Sequence, residues 1–218
     1  MLLLHAIVPV DTVAPPAVGV RGWPLRAARA AGLVGWASEW RPDAPPLGRD
    51  DLLAHHALAT QALGVCLPVR LPTWLADDTA LGELLAARQA ELLAALERVR
   101  GTAELAVTAT WQGVPPPGVP SPASTPGRRY LEERRRQFAT DDQRRVIAQQ
   151  LAARIGGLPH VLKAQHRVCP SAAIALSSAL LVPLDAAAEL RAALPAGPHN
   201  VRILVNGPWP PYSFSELV

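Results

Sequence analysis

His55 and His56 form the densest pair of imidazoles in the chain. On a helix, adjacent positions diverge by about 100°, so the two rings cannot close on one metal ion together. The simpler reading is a satisfied structural histidine on the buried side with Leu52 and Leu63, its neighbour facing solvent. His160 and His166 fall on one face of an expected strand, but six strand residues set them roughly 20 Å apart. Asp77-Asp78 and Asp141-Asp142 suit a helix start and a solvated face better than a catalytic dyad. Arg70 follows an apolar stretch, Leu67-Pro68-Val69, and its planar fork matches a carboxylate or phosphate. No glycine-rich phosphate loop accompanies it, and a structural pairing between loops explains it as well. Cys66 and Cys169 stand far apart in apolar settings, which reads as two buried free thiols in a reducing compartment. With no HExxH, no Cys/His cluster and no nucleophile elbow, the sequence supplies no catalytic, metal-binding or cofactor-binding set.

Arginine raises a second possibility. Lys163 is the only lysine, and the net charge of +3 is carried almost wholly by arginine. Eight of these arginines lie between Arg128 and Arg154, in a segment that reads as one helix over 128–155. An RNA-binding module using this helix is the alternative function. Against it, Glu132 and Arg136, like Asp141 and Arg145, stand at i, i+4 with the acid first, the favourable order for internal pairs. Trp111 is also the only aromatic residue in the expected strands of that half, where RNA-stacking sheets need several. A solvated helix face is the stronger reading, and it argues against nucleic acid.

The elements around these residues follow from periodicity. With 50% apolar and 18% charged residues, the 218-residue chain has enough apolar side chains for a real core. Residues 2–8 form an apolar run closed by Pro9, which predicts a buried strand rather than a signal peptide or a membrane span. Residues 9–24 read as loop and 33–40 as a second strand. Asp50 is placed to cap a helix running to about Leu63 and stopped by Gly64. A strand at 65–69 comes next. Asp77 and Asp78 open one long helix in which Leu81, Leu85, Leu92, Leu96 and Val99 share a stripe, closed by Gly101. Alternation of Ala103, Leu105, Val107, Ala109 and Trp111 with Thr102, Glu104, Thr108 and Thr110 predicts a half-buried strand. Proline-rich residues 112–127 read as a loop or linker. Beyond the arginine-rich helix come strands at 161–168 and 172–182, a short helix at 183–194 and a last strand at 200–205.

The fold class expected is therefore α+β in two domains. Residues 1–100 make an N-terminal α+β domain. Residues 101–218 give the order βαββαβ of a ferredoxin-like domain. That domain ends in Gly207-Pro208-Trp209-Pro210-Pro211-Tyr212-Ser213-Phe214, whose three prolines each fix φ and remove a donor. Such a segment is extended, excluded from helices and central strands, and its Trp209, Tyr212 and Phe214 are expected to pack as a docking strap.

This ending resembles the signature of the gas vesicle protein F/L family. Leu4-His5-Ala6-Ile7-Val8-Pro9 resembles the family's opening strand, and Leu67-Pro68-Val69-Arg70 its central proline-arginine strand end. Glu104-Leu105-Ala106-Val107 is similar to its glutamate-led strand, and Gly127-Arg128-Arg129-Tyr130-Leu131 to its helix start. The matched motif positions are Arg70, Glu104, Tyr130, Gly207, Pro208, Trp209, Pro210, Pro211, Tyr212 and Phe214. The chain departs at Leu71-Pro72-Thr73, where relatives continue with Phe-Gly-Thr, and it stops at Val218, short of a helical tail found in many relatives. The resemblance implies a non-enzymatic, cytoplasmic, gas-vesicle-associated protein without cofactor. Its implied partners are the small hydrophobic major shell protein and other gas vesicle accessory proteins.

Overall fold

The structure, a computed structural model, describes residues 1–12, 17–112, 126–169, 173–194, 196–198 and 200–215, with backbone only at 126, 129, 132, 133, 136, 137 and 139. The expected loop at 112–127 lies mostly outside these residues; positions 126 and 127 already belong to the next helix. The fold is α+β with two antiparallel sheets. Its contacts divide it into two units: Met1–Glu104 with Leu181–Ala187 and Gly207–Val218, and Leu105–Leu180 with Ala188–Asn206. The terminal segment, expected as the end of the C-terminal domain, thus groups with the N-terminal residues.

In the first unit, β1 (Leu2–Pro9) lies between β3 (Leu33–Glu39) and the short β4 (Leu67–Pro68), with β2 (Leu25–Ala30) outside β3 and β5 (Trp74–Leu75) also paired to β1. The ladder β1–β3 slips between Leu4 and Ala6, so one extra residue, His5, is accommodated in a bulge. A bulge reverses the parity of the strand residues beyond it. Leu3 before it and Ala6 and Val8 after it therefore pack on the same side, with Trp36, Trp40 and the helix α1 (Arg49–Thr60). The opposite face receives α2 (Asp78–Ala87), whose Leu81 fits over Gly35: a Cβ there would stand 2.7 Å from Leu81 Cδ1.

Several elements differ from the expectations. β2 falls in a stretch to which periodicity assigns no element. Its Leu-Arg-Ala-Ala-Arg-Ala composition has little β-propensity, and it exists because it pairs with β3 through a two-residue turn. Ala31 and Gly32 both take positive φ (52° and 79°), as a tight primed hairpin requires. Gly48, not Asp50, is the N-cap of α1, and the Asp51 carboxylate accepts the Gly48 N–H at 2.8 Å. The single helix expected from Asp77 is two. Asp77 caps α2 by accepting from Ala80 N–H at 2.9 Å, but the backbone leaves helical geometry at Arg88 before α3 (Gln89–Val99). All five stripe residues, Leu81, Leu85, Leu92, Leu96 and Val99, are nonetheless buried. The strand at 65–69 shrinks to β4.

The second sheet is built from β6 (Thr102–Trp111), β7 (Lys163–Val168), β8 (Ile174–Pro183) and β9 (Val201–Trp209), in the order β7-β8-β6-β9. Between its strands run α4 (Pro126–Gly156) and α5 (Ala187–Ala193). Ala148, Leu151, Ala152 and Ile155 of α4 are buried, while Tyr130, Leu131, Phe138 and Val146 are exposed. His160 lies outside β7, with φ 66°, so it shares no strand face with His166. Cys169 is only partly buried, unlike Cys66. No helix among the described residues is long and apolar enough to cross a membrane.

Candidate binding trough

α1 positions the first part of the site. Asp51, His55, Leu58 and Ala59 occupy its buried face at helical spacing. Leu52, expected inside, and Leu53 are more than half exposed, so they stand on the outer face beside His56. Asp51 is held by a two-pronged pair with Arg21, Nε to Oδ1 at 2.8 Å and Nη2 to Oδ2 at 2.6 Å. Arg21 in turn lies 4.5 Å from the Trp40 ring centre. The Arg21 hydrogen bonds, helped by the Gly48 N–H, hold the Asp51 carboxyl below its ordinary pKa against its burial.

His55 meets a residue from fifty positions away. Its Nδ1 lies 2.8 Å from His5 Nδ1, and both rings are buried. The tautomers follow from the neighbours. The Ser38 N–H points at His5 Nε2 (3.2 Å), so that nitrogen accepts. The Ser38 hydroxyl donates to the same nitrogen at 2.6 Å and accepts the Val20 N–H at 2.8 Å. His5 then carries its proton on Nδ1 and donates to His55, whose own proton faces the Val69 backbone. Burial, with repulsion from a charged His55, depresses His5 to about 3. Burial likewise depresses His55, to about 4, despite the Val69 bond. Both are neutral at physiological pH, a structural pair rather than a metal site; among the described residues no cluster of three metal-binding side chains occurs.

The terminal segment supplies the other wall. Gly207, Pro208 and Trp209 form the end of β9, an edge strand, where proline is tolerated. Pro210 and Pro211 are buried, and the chain turns through Tyr212 to Phe214, which is 4% exposed. This turn is clipped by Glu104. Its buried carboxylate accepts the Ser213 N–H at 2.8 Å and the Ser213 hydroxyl at 2.9 Å. Desolvation raises the Glu104 pKa; the Ser213 bonds and the Arg70 charge oppose it. Tyr212 packs against the core cluster that includes Ala6, Trp36 and Cys66, its ring centre 6.0 Å from His55 and from His56. Its hydroxyl is buried without a hydrogen-bond partner among the described residues. Burial pushes the Cys66 thiol up to about 12. Trp209, expected to be buried, is 36% exposed and rests edge-on against His56 at 5.6 Å.

Between these walls lies an open trough of ≈ 520 Å³, lined by Leu52, Leu53, His56, Leu71, Trp209 and Tyr212, with His55 at its base. Arg70 completes the lining. It is exposed, and its guanidinium makes no ion pair or hydrogen bond among the described residues, though its charge acts on Glu104. Leu71-Pro72, the departure from the family pattern, is a cis peptide, after which the Thr73 hydroxyl returns to the Arg70 carbonyl at 2.8 Å.

A model of the family described as "Gas vesicle synthesis protein GvpL/GvpF" matches residues 2–216. The chain belongs to the GvpL/GvpF family. The fold agrees: it is similar to the crystal structure of gas vesicle protein GvpF from Anabaena sp. PCC7120, with a TM-score of 0.81 at 16% identity, over 100% of this chain and 98% of that one. GvpF from Microcystis aeruginosa superimposes with a TM-score of 0.74 at 16% identity, over 99% of each chain. Among curated proteins no match is found. Of the family-motif positions, Arg70, Glu104, Trp209, Tyr212 and Phe214 meet in the first unit, while Tyr130, 62% exposed, belongs to the second. Sequence reasoning missed His5 and Ser38, although His5 is the one polar side chain of β1 and Ser38 is buried in β3 next to Glu39.

Proposed function

We propose that this GvpL/GvpF protein is an assembly or minor structural protein that binds the hydrophobic major shell protein while gas vesicles form. Family membership supports the gas vesicle role. The trough supports the binding role: Leu52, Leu53 and Trp209 are large apolar side chains exposed side by side on one surface. Contiguous exposed apolar surface of this kind marks an interaction site. A shell subunit that buries its apolar face only in a polymer needs such a surface before it assembles.

In this role the protein works in the cytoplasm, with other gas vesicle accessory proteins as further partners, and performs no catalytic step. Its second unit is a ferredoxin-like domain, a description supported by the element order β6-α4-β7-β8-α5-β9 and the sheet order β7-β8-β6-β9. Nothing among the described residues favours the RNA alternative. Arg145 pairs with Asp142 at 2.8 Å, rather than with Asp141 as expected, and Arg144 and Arg134 lie over Trp111 and Phe138. The Glu132–Arg136 pair lies outside the described side chains. Co-expression of tagged protein with the shell protein tests the proposal. Capture of the shell protein is expected; its absence, with vesicles forming normally in a deletion strain, would rule the role out.

A further inference from the structure

The trough is not uniformly apolar. Its two histidines are held toward the neutral form by burial, so Arg70 is the one side chain of its lining that is charged at neutral pH. The Arg70 charge lowers the pKa of Glu104, but no hydrogen bond or ion pair joins the two side chains. The guanidinium's donors are without a hydrogen-bond partner among the described residues, in a lining shared with Leu71 and Trp209. A free fork of N–H donors at the rim of an apolar surface is matched by a carboxylate carried on an apolar segment.

We propose that the occupant of the trough is an apolar segment of the shell protein bearing one acidic side chain, and that this carboxylate pairs with Arg70. The pairing rests on the shell-binding role proposed above and adds to it the address and the chemistry of the contact. Apolar side chains seated against Leu52, Leu53 and Trp209 supply attraction without register. The single ion pair fixes which part of the segment lies at Arg70 and rejects segments that lack the acid, since a buried unpaired guanidinium is costly. The pair forms as the occupant covers it, so its removal is felt mainly in dissociation.

The test is capture of co-expressed shell protein by the full chain and its variants. Arg70→Met is expected to weaken capture by about 10- to 100-fold, the range for a charge-assisted bond at a desolvated site. Leu53→Asp is expected to abolish it. Both positions are exposed, so thermal unfolding of each variant should match the wild type and exclude misfolding as the cause. Arg70→Glu should lose capture and regain it when one particular Asp or Glu of the shell protein is changed to Lys. If wild type captures and Arg70→Met captures equally well, the carboxylate pairing is overturned while the shell-binding role stands. If Arg70→Met weakens capture but no single acid-to-Lys change rescues Arg70→Glu, the one-carboxylate form is overturned. If wild type itself captures nothing, the role fails and the pairing with it.

Discussion

Burial raises the Glu104 pKa, and Ser213 opposes that shift by offering two donors to the same carboxyl group. Glu104→Ala leaves those donors without their acceptor and is expected to cost about 1–3 kcal/mol, measured by denaturant unfolding. An unchanged midpoint would show that the terminal turn holds without its clip. The histidine pair gives a pH signature. His5 and His55 have folded pKa values of about 3 and about 4, below the unfolded 6.5. Their stabilisation is complete above pH 6.5 and is lost as pH falls toward 4, because the unfolded chain binds the protons first. The expected slope approaches two protons, and His5→Phe combined with His55→Leu should flatten it. A flat wild-type profile between pH 6.5 and 4.5 would show that the pair titrates freely. Asp51, also depressed, adds its loss at lower pH, whereas raised Glu104 contributes most below the carboxylate range and less as pH rises.

Elements whose apolar period is carried by leucine were legible; those created by partners were not. The leucines of α2 and α3 announce their buried stripe, but nothing in Arg88 and its neighbours marks the break between the helices. β2 is invisible locally because its arginines and alanines gain strand geometry only from the ladder with β3. Gly35 shows the same limit: its role is to admit Leu81, forty-six positions on in sequence, at a distance no Cβ tolerates. Gly35→Ala is expected to destabilise by about 1–3 kcal/mol through overpacking, read as a lower unfolding midpoint. If Gly35→Ala costs less in a Leu81→Ala background than in the wild type, the clash is its cause.

For the molecule as a whole, the α+β class and the order of elements from β6 onward could be read from the chain, and the family from its final motif. The site could not. Arg70, His56 and Tyr212 come from distant stretches, and only the fold shows that they line one trough. The motif's aromatics also divide the packing work expected of all three together. Phe214→Ala should lower stability by about 3 kcal/mol, since its ring is 4% exposed. Trp209→Ala, by contrast, should leave thermal unfolding nearly unchanged and weaken shell-protein capture. A large fall in the melting temperature for Trp209→Ala would return that ring to a packing role.

The Glu104–Ser213 clip spans 109 positions of sequence. A ribosome therefore releases Leu52, Leu53 and Arg70 long before the residues that complete their surroundings. Until Trp209 and Tyr212 emerge, the nascent protein has half a trough and no means of latching it. In the shell-binding role proposed above, competence for the partner would thus be tied to the progress of translation, and prematurely terminated products would be excluded from capture by their own incompleteness.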